Sequence, residues 1–159
     1  MILLGEHAVV YGRPAVAASL PVGITVDVRR GAGPALSTDL PQLAADPRPT
    51  RLLIAAAELV GIDAREVVAA VRSTLPPGAG LGSSAALTIA MLRAVAGAAE
   101  RVLSFPDELA FGRQLEAIFH GQSSGIDPAA AALGGGFEFH RGEPPRGTPL
   151  RPPRVLPLV

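Results

Sequence analysis

The sequence predicts a single domain in which short β-strands are combined with α-helices. Residues 24–29 alternate apolar and polar side chains, as expected for a strand with one buried face. Residues 51–60 carry apolar side chains at helical spacing and stop at Gly61, a residue suited to the carboxyl end of a helix. Residues 67–75 are rich in valine and run into two prolines, which predicts another strand. A chain of 159 residues is long enough to bury one sizeable core.

The first fifty residues are expected to contain three strands and a long loop. Two short strands, at residues 2–4 and 15–20, flank a loop at residues 5–14. The strand at residues 24–29 follows. Residues 31–50 are rich in Gly, Pro, Asp, Ser and Thr, and this composition predicts a loop.

Helices dominate the second half of the predicted fold. Residues 85–99 are apolar on nearly every side apart from Arg93, which is typical of a buried helix. Residues 106–119 begin with a proline and two acids, which favour the start of a helix. The remaining predicted elements are a helix at residues 126–133, a strand at 136–140, a Pro-rich segment at 142–153 and a strand-like apolar stretch at 155–159.

The composition excludes several classes of function. Fourteen acidic residues balance fourteen basic ones, so bulk charge does not attract the chain to nucleic acid or to an anionic membrane. All fourteen basic residues are arginines, so no step can use a lysine, and the absence of cysteine excludes disulfides and thiolate chemistry. No apolar run approaches the ~18 residues that cross a bilayer, and the first residues lack the pattern of a signal peptide. We therefore expect a soluble, cytoplasmic protein.

A glycine-rich loop at residues 78–84 joins a predicted strand to a predicted helix. Glycines let successive backbone N–H groups converge, and the amino terminus of a helix adds partial positive charge. Together these features favour a phosphate cradle that needs no basic side chain. The loop also fits an ordinary turn in which Ser83 and Ser84 cap the helix. Its spacing differs from that of the Walker A motif and of the dinucleotide fingerprint.

Acidic and imidazole side chains occur in two further segments. Glu6 and His7 follow the first predicted strand, where ligand-binding groups are common, although a simple surface pair fits this dipeptide as well. Glu116 and His120 are four residues apart and so share one face of a helix. Asp127 starts the next helix after a Gly- and Ser-rich turn, where it either points into a cleft or caps the helix. Phosphoryl transfer from a nucleotide needs a phosphate cradle, a metal held by a carboxylate and a hydroxyl, and an acid beside the acceptor.

Three strings, taken together and in this order, resemble the signature of the GHMP superfamily of small-molecule kinases. Residues 5–12, Gly-Glu-His-Ala-Val-Val-Tyr-Gly, resemble its mevalonate kinases rather than its galactokinases. Residues 76–86, Pro-Pro-Gly-Ala-Gly-Leu-Gly-Ser-Ser-Ala-Ala, resemble the phosphate loop of the superfamily. Residues 120–127, His-Gly-x-x-Ser-Gly-Ile-Asp, resemble the segment that carries the catalytic Asp. The resemblance extends over essentially the whole chain.

The resemblance implies a role for each matching residue. It implies that Ser84 and Glu116 bind Mg²⁺, and that Asp127 is the catalytic acid beside the C5 hydroxyl of mevalonate. It also implies that Glu6 and His7 line the mevalonate pocket. The residues that it places at ATP are Ser73, near the nucleotide, and Gly78, Ala79, Gly80, Leu81, Gly82, Ser83 and Ser84, around the phosphates.

The fold implied by this resemblance is α+β, that of the GHMP kinase amino-terminal domain, similar to the second domain of ribosomal protein S5. Residues 1–159 would form this ATP-binding domain, with the carboxyl-terminal GHMP domain absent. The implied activity is ATP-dependent phosphorylation of mevalonate to 5-phosphomevalonate, a step of isoprenoid precursor synthesis, by an enzyme that forms a homodimer at full length. A phosphomevalonate kinase, a homoserine kinase and a non-catalytic remnant or interaction module are the alternatives.

The chain departs from the family pattern at both ends. The family has Ala-Pro-Gly-Lys just before the strand at residues 2–4, and the lysine, which interacts with the catalytic Asp, would precede Met1. A third family motif would lie beyond Val159. We therefore expect a fragment truncated at both ends, inactive by itself, with an in-frame upstream segment that ends in Gly-Lys. Ser123 and Pro128 differ from the residues common in the family, and both changes are tolerable.

Overall fold

The computed structural model describes residues 1–75, 80–120, 124–142 and 146–150. Within these residues the strands are β1 (Ile2–Leu4), β2 (Ala15–Ala18), β3 (Ile24–Arg30), β4 (Ala35–Thr38), β5 (Val67–Ser73), β6 (Gly136–His140) and β7 (Arg146–Leu150). The helices are α1 (Pro41–Ala44), α2 (Arg48–Val60), α3 (Ser83–Ala98), α4 (Phe105–Glu116) and α5 (Ile126–Leu133). Short 3-10 turns precede β2 and β5, at Ala8–Tyr11 and Ala64–Glu66.

The strands form two sheets. The first has the order β1-β2-β6-β7 and is antiparallel throughout. The second has the order β3-β5-β4, in which β3 runs antiparallel and β4 parallel to β5. A parallel pair needs a long crossover connection, and the chain between β4 and β5 provides it through α1 and α2.

Helix α3 lies at the centre of the fold, packed against β3, α2, α4 and α5. One cluster of buried side chains joins α2 and α3 to the three-stranded sheet. A second cluster joins α5 to the four-stranded sheet around Phe137 and Phe139. Because α3 has neighbours on most sides, its apolar residues are not confined to one stripe. The mixed strands and helices confirm the α+β class.

Several predicted elements are confirmed. β1, α5 and β6 have the predicted bounds. Helix α2 ends at Gly61, whose φ of +87° is the left-handed conformation that glycine adopts most readily. Helix α4 starts one residue before its predicted start and ends at Glu116 rather than at residue 119. A single further turn then carries the chain to His120, whose N–H donates to the carbonyl of Glu116 at 2.9 Å.

The predicted loop at residues 31–50 is wrong, because this segment contains β4, α1 and the start of α2. The four residues of β4 pair in register with β5, from Ala35 opposite Val68 to Thr38 opposite Val71. Such pairing depends on a strand more than thirty residues away, which local composition cannot reveal. Prolines near the starts of α1 and α2 are compatible with both helices, since the first helical turn has no intrahelical N–H bonds to lose.

The Pro-rich segment at residues 142–153 is partly a strand, since β7 lies within it. β7 occupies the edge of the four-stranded sheet, where Pro149 lies opposite Phe137. Proline is tolerated at an edge because one side of the strand makes no ladder bonds. The apolar stretch at residues 155–159 lies outside the described residues. Among the residues that the structure describes, none of the helices combines the length and the apolar character needed to cross a membrane.

Candidate active site

The amino terminus of α3 is formed by glycines rather than by capping serines. Gly80 and Gly82 have φ of +66° and +72°, and Gly82 is the residue that caps the helix. Ser83 and Ser84 are the first two helical residues, and neither side chain makes a cap hydrogen bond. The prediction that these serines cap the helix is therefore wrong, and their hydroxyls are available for other contacts. Gly78 and Ala79 lie outside the described residues.

Ser84 contacts the end of α4. Its Oγ donates to Oε1 of Glu116 at 3.3 Å, and the same Oγ lies 3.0 Å from Nε2 of His120. Glu116 is only 2 % exposed, so the interior of the domain holds a carboxylate beside a hydroxyl. The structure thus brings together the two side chains predicted to share a metal ion.

The oxygen donors at this point fit Mg²⁺. Magnesium prefers oxygen ligands and is usually held by one or two carboxylates, with waters and substrate phosphates completing its shell. Ser84 and Glu116 supply one hydroxyl and one carboxylate in contact. In the described part of the chain no group of three or more His, Asp or Glu side chains is placed to hold a metal. Such a sparse donor set suits a metal that arrives with a nucleotide better than a permanently bound ion.

Asp127 lies in the first turn of α5 and is half-buried. The residue that caps α5 is Gly125, with φ of +86°, so Asp127 is not the cap. Burial raises the pKa of Asp127 above its ordinary value, because a carboxylate loses hydration there. The positive charges of the Met1 amino group and of His120 oppose this rise in pKa, whereas the negative charge of Glu6 adds to it.

Two cavities lie on different sides of the start of α3. The larger, of about 430 Å³, has polar groups from Ser73, Ser83, Ser84 and His120 in its wall. Its other lining residues are Ile24, Leu40, Gln42, Leu43, Asp46, Arg48, Leu75, Leu87 and Phe119. A cavity of this size, lined by both apolar and polar side chains, is typical of a small-molecule site.

The smaller cavity, of about 180 Å³, contains Asp127. Leu81 and Gly82 from the glycine loop share its wall with Met1 and Arg93. The first turn of α3 and the loop before it therefore separate the two cavities.

The predicted site residues fall into two groups in space. Ser73, Ser83, Ser84 and Glu116 belong to the larger cavity or contact it, whereas Leu81, Gly82 and Asp127 line the smaller one. Glu6 is close enough to Asp127 for its charge to affect the pKa of that residue. His7 and Gly80 are exposed; in sequence, His7 follows Glu6 and Gly80 precedes Leu81.

Two residues at the larger cavity had no role in the sequence prediction. His120 touches Ser84, and its charge also acts on Asp127, so it lies between the two groups. The sequence had placed His120 on one helix face with Glu116, four residues earlier, but it gave His120 no role at the site. Arg48 lies 5.4 Å from the centre of the Phe119 ring and pairs with Asp46, Nη2 to Oδ2, at 2.7 Å. No sequence pattern indicated this second arrangement.

Comparison with known families defines the class. Residues 50–135 match the family described as GHMP kinases N terminal domain, and this range contains α3, α4 and α5 with Ser84, Glu116 and Asp127. The chain belongs to the GHMP kinase family.

Within that family, the proteins similar to this chain include mevalonate kinases. Mevalonate kinase of Thermococcus sibiricus is 33% identical over 166 residues, and that of Thermococcus onnurineus is 31% identical over 166 residues. Each alignment covers 89% of this chain and 50% of the relative, so the chain spans about half the length of the curated relatives it matches. The solved structure of L. major mevalonate kinase in complex with R-mevalonate has a TM-score of 0.75 at 24% identity, over 93% of this chain and 49% of the other. That structural similarity establishes the fold.

Proposed function

We propose that this chain provides the ATP-binding half of an enzyme that phosphorylates the C5 hydroxyl of mevalonate. The observation that carries the proposal is the contact of Ser84 with buried Glu116 at the start of α3, in the wall of the cavity of about 430 Å³. The mevalonate kinases among its relatives support the choice of substrate. We place the reaction in isoprenoid precursor synthesis in the cytoplasm, and we propose a homodimer at full length.

In this proposal the larger cavity holds ATP. Its apolar walls accept the nucleoside, with Ser73 beside it, and the triphosphate lies against the first turn of α3. Backbone N–H groups at a helix amino terminus stabilise phosphate without a basic side chain, which suits the start of α3, where residues 80–84 carry no charge. Ser84 and Glu116 would hold Mg²⁺, which when bound neutralises part of the charge on the phosphates.

Asp127 is the proposed catalytic residue. The C5 oxygen of mevalonate forms a bond to the γ-phosphorus, the bond from that phosphorus to the oxygen of ADP breaks, and the hydroxyl proton passes to a carboxylate oxygen of Asp127. A raised pKa brings this carboxyl group closer to the pH at which it works as a base. Glu6 and His7 would line the site of the acceptor. The larger and smaller cavities would then bind the two substrates on either side of the same helical turn.

The test measures phosphoryl transfer directly. The 159-residue chain, alone and mixed with the remaining half of Thermococcus onnurineus mevalonate kinase, is incubated with ATP, Mg²⁺ and mevalonate, and phosphomevalonate is quantified. We expect product only in the mixture, because the alignment covers half of the relative. Asp127→Asn should lower the rate about 10²–10⁴-fold, the usual effect of removing a general base.

A matched control is Asp27→Asn on β3. Asp27 is exposed and pairs with Arg72 at 3.5 Å, a surface pair that contributes little. Asp27→Asn should therefore leave the rate of phosphoryl transfer unchanged. A rate in Asp127→Asn within tenfold of the wild type would contradict the assignment of the base. Transfer to phosphomevalonate or homoserine in preference to mevalonate would contradict the assignment of the substrate, and no transfer to any of the three would favour a non-catalytic role.

A further inference from the structure

Helix α5, which carries Asp127, is flanked by glycines at both ends. Gly125 precedes it with φ of +86°, and Gly134 and Gly135 follow it with φ of +70° and +65°. Glycine has the widest backbone freedom of any residue. The backbone after the helix is held at Gly135, whose carbonyl accepts from the N–H of Ser19 at 2.9 Å, and side-chain contacts further position the eight-residue helix itself.

At its amino end α5 is positioned by close helix packing. A methyl group on Gly112 of α4 would lie 2.8 Å from Cδ1 of Ile89 on α3 and 3.3 Å from Cβ of Pro128 on α5. The three helices thus approach one another at a point where a larger side chain than that of glycine would force Ile89 or Pro128 to shift. Pro128 is the residue that follows Asp127, so this contact holds the start of the helix.

At its carboxyl end α5 is held by Arg93. Nη2 of Arg93 donates to the carbonyl oxygen of Ala132, the last residue but one of the helix, at 2.9 Å. The last four carbonyls of a helix have no intrahelical partner, and a cation near them is favourable. Arg93 therefore completes the end of α5 from a different helix.

Glu108 of α4 fixes the arginine in turn. Arg93 Nη2 donates to Oε2 of Glu108 at 2.9 Å, and Arg93 Nε donates to Oε1. Glu108 is 8 % exposed, whereas the arginine side chain is half-exposed. A two-point contact between a guanidinium and a carboxylate restricts orientation as well as distance. One residue each from α3 and α4 thus defines where α5 ends.

We propose that Arg93, held by Glu108, is a positioning residue for Asp127. Only the description of Asp127 as the base rests on the proposed function; the placement of α5 does not. Arg93 and Asp127 line the same cavity of about 180 Å³, so a shift of α5 changes the hydration of the carboxyl group. The charged groups that act on Asp127 are the Met1 amino group, His120 and Glu6, with Arg93 at the cavity wall.

The experiment compares Arg93→Met and Glu108→Gln with a matched control, Arg101→Met. Arg101 also donates to a carbonyl at the end of a helix, that of Val60 at the end of α2, but α2 does not carry Asp127. In the 159-residue chain, amide hydrogen exchange of Ala129 and Ala130 is measured by NMR. The titration of the Asp127 carboxyl carbon is followed in the same samples and assigned with Asp127→Asn.

We expect exchange at Ala129 and Ala130 to become about tenfold faster in Arg93→Met and in Glu108→Gln, and to stay unchanged in Arg101→Met. We also expect the pKa of Asp127 to fall towards its ordinary value in the first two variants, because a looser α5 admits water. Loss of the Arg93 cation by itself would raise that pKa, so in Arg93→Met the sign separates positioning from direct electrostatics. Loss of the Glu108 anion by itself would lower the pKa, so Glu108→Gln is judged by its exchange rates. Arg93→Lys should restore part of the protection, since an ammonium can reach one oxygen but lacks the planar fork.

Unchanged exchange in α5 in both variants would overturn the proposal, and so would equal loosening in Arg101→Met or a rise in the pKa of Asp127. If Arg93→Met does not fold, the exchange rates of Ala129 and Ala130 in Glu108→Gln decide the matter, because this variant removes one charge while keeping the shape of the side chain. These readouts do not depend on catalysis. If the wild-type chain mixed with the remaining half of Thermococcus onnurineus mevalonate kinase shows no phosphoryl transfer, the proposed function is refuted, and the positioning of α5 is judged by exchange alone.

Discussion

Gly112→Ala tests the close approach of three helices beside Asp127. The new methyl group gains about 1 kcal/mol of helix propensity. It also meets Cδ1 of Ile89 at 2.8 Å and Cβ of Pro128 at 3.3 Å. The end of an isoleucine can rotate away, whereas the proline ring cannot, so the strain falls on Pro128. Overpacking of this kind costs about 1–3 kcal/mol, and we expect a net loss of about 0–2 kcal/mol in the free energy of unfolding.

Gly97→Ala is the matched control for that change. Gly97 lies near the end of α3, and an added methyl group would meet nothing within 4 Å. This variant should gain up to about 1 kcal/mol. The free energies of unfolding of both variants are measured by urea denaturation, and the same dependence of free energy on urea concentration is used for both. Equal stabilisation by the two alanines would refute the argument that a methyl group at position 112 strains the contacts with Ile89 and Pro128.

Two further outcomes are expected. Thr88→Val should raise the free energy of unfolding by about 1 kcal/mol. The reason is that Oγ1 of Thr88 is buried without a hydrogen-bond partner among the described residues, and valine has a similar shape. A loss of more than about 1 kcal/mol in urea denaturation would mean that the hydroxyl has a hydrogen-bond partner. The pKa of Asp127 is raised in the folded state, so the native protein holds the proton of this carboxyl group more tightly than the unfolded chain does. Asp127 therefore lowers the free energy of unfolding as pH rises from the unfolded-state pKa, about 3.9, through the folded-state pKa. The difference in unfolding free energy between Asp127→Asn and wild type should therefore move in favour of the variant between pH 4 and pH 7, and a difference independent of pH would contradict the raised pKa.

Local signals were sufficient for part of this structure. The bounds of β1, α5 and β6 follow from short apolar runs closed by glycines, and Gly61 ends α2 because its conformation is left-handed. β4 could not be predicted, since its evidence is a ladder to β5 rather than a pattern of its own. Composition rich in Gly and Pro was outweighed there by long-range hydrogen bonds.

The candidate site shows the same division between local and long-range information. The resemblance of three strings indicated Ser84, Glu116 and Asp127, and the structure places the first two in contact. Arg93 was visible as the one charge on an apolar helix, but nothing in the sequence identified Glu108 as its partner. Ion pairs between separate helices depend on how the helices cross, which spacing along one chain does not encode.

The edge position of β3 has a consequence for self-association. Among the residues that the structure describes, β3 pairs with β5 alone in its sheet, so the other side of its backbone makes no ladder bonds there. Asp27, Arg29 and Arg30 are exposed along β3. Charges on an edge strand oppose the addition of a further strand, because stacking two such edges would bury them together. Surface variants made for crystallisation should therefore keep Asp27, Arg29 and Arg30, and should replace flexible side chains at other positions.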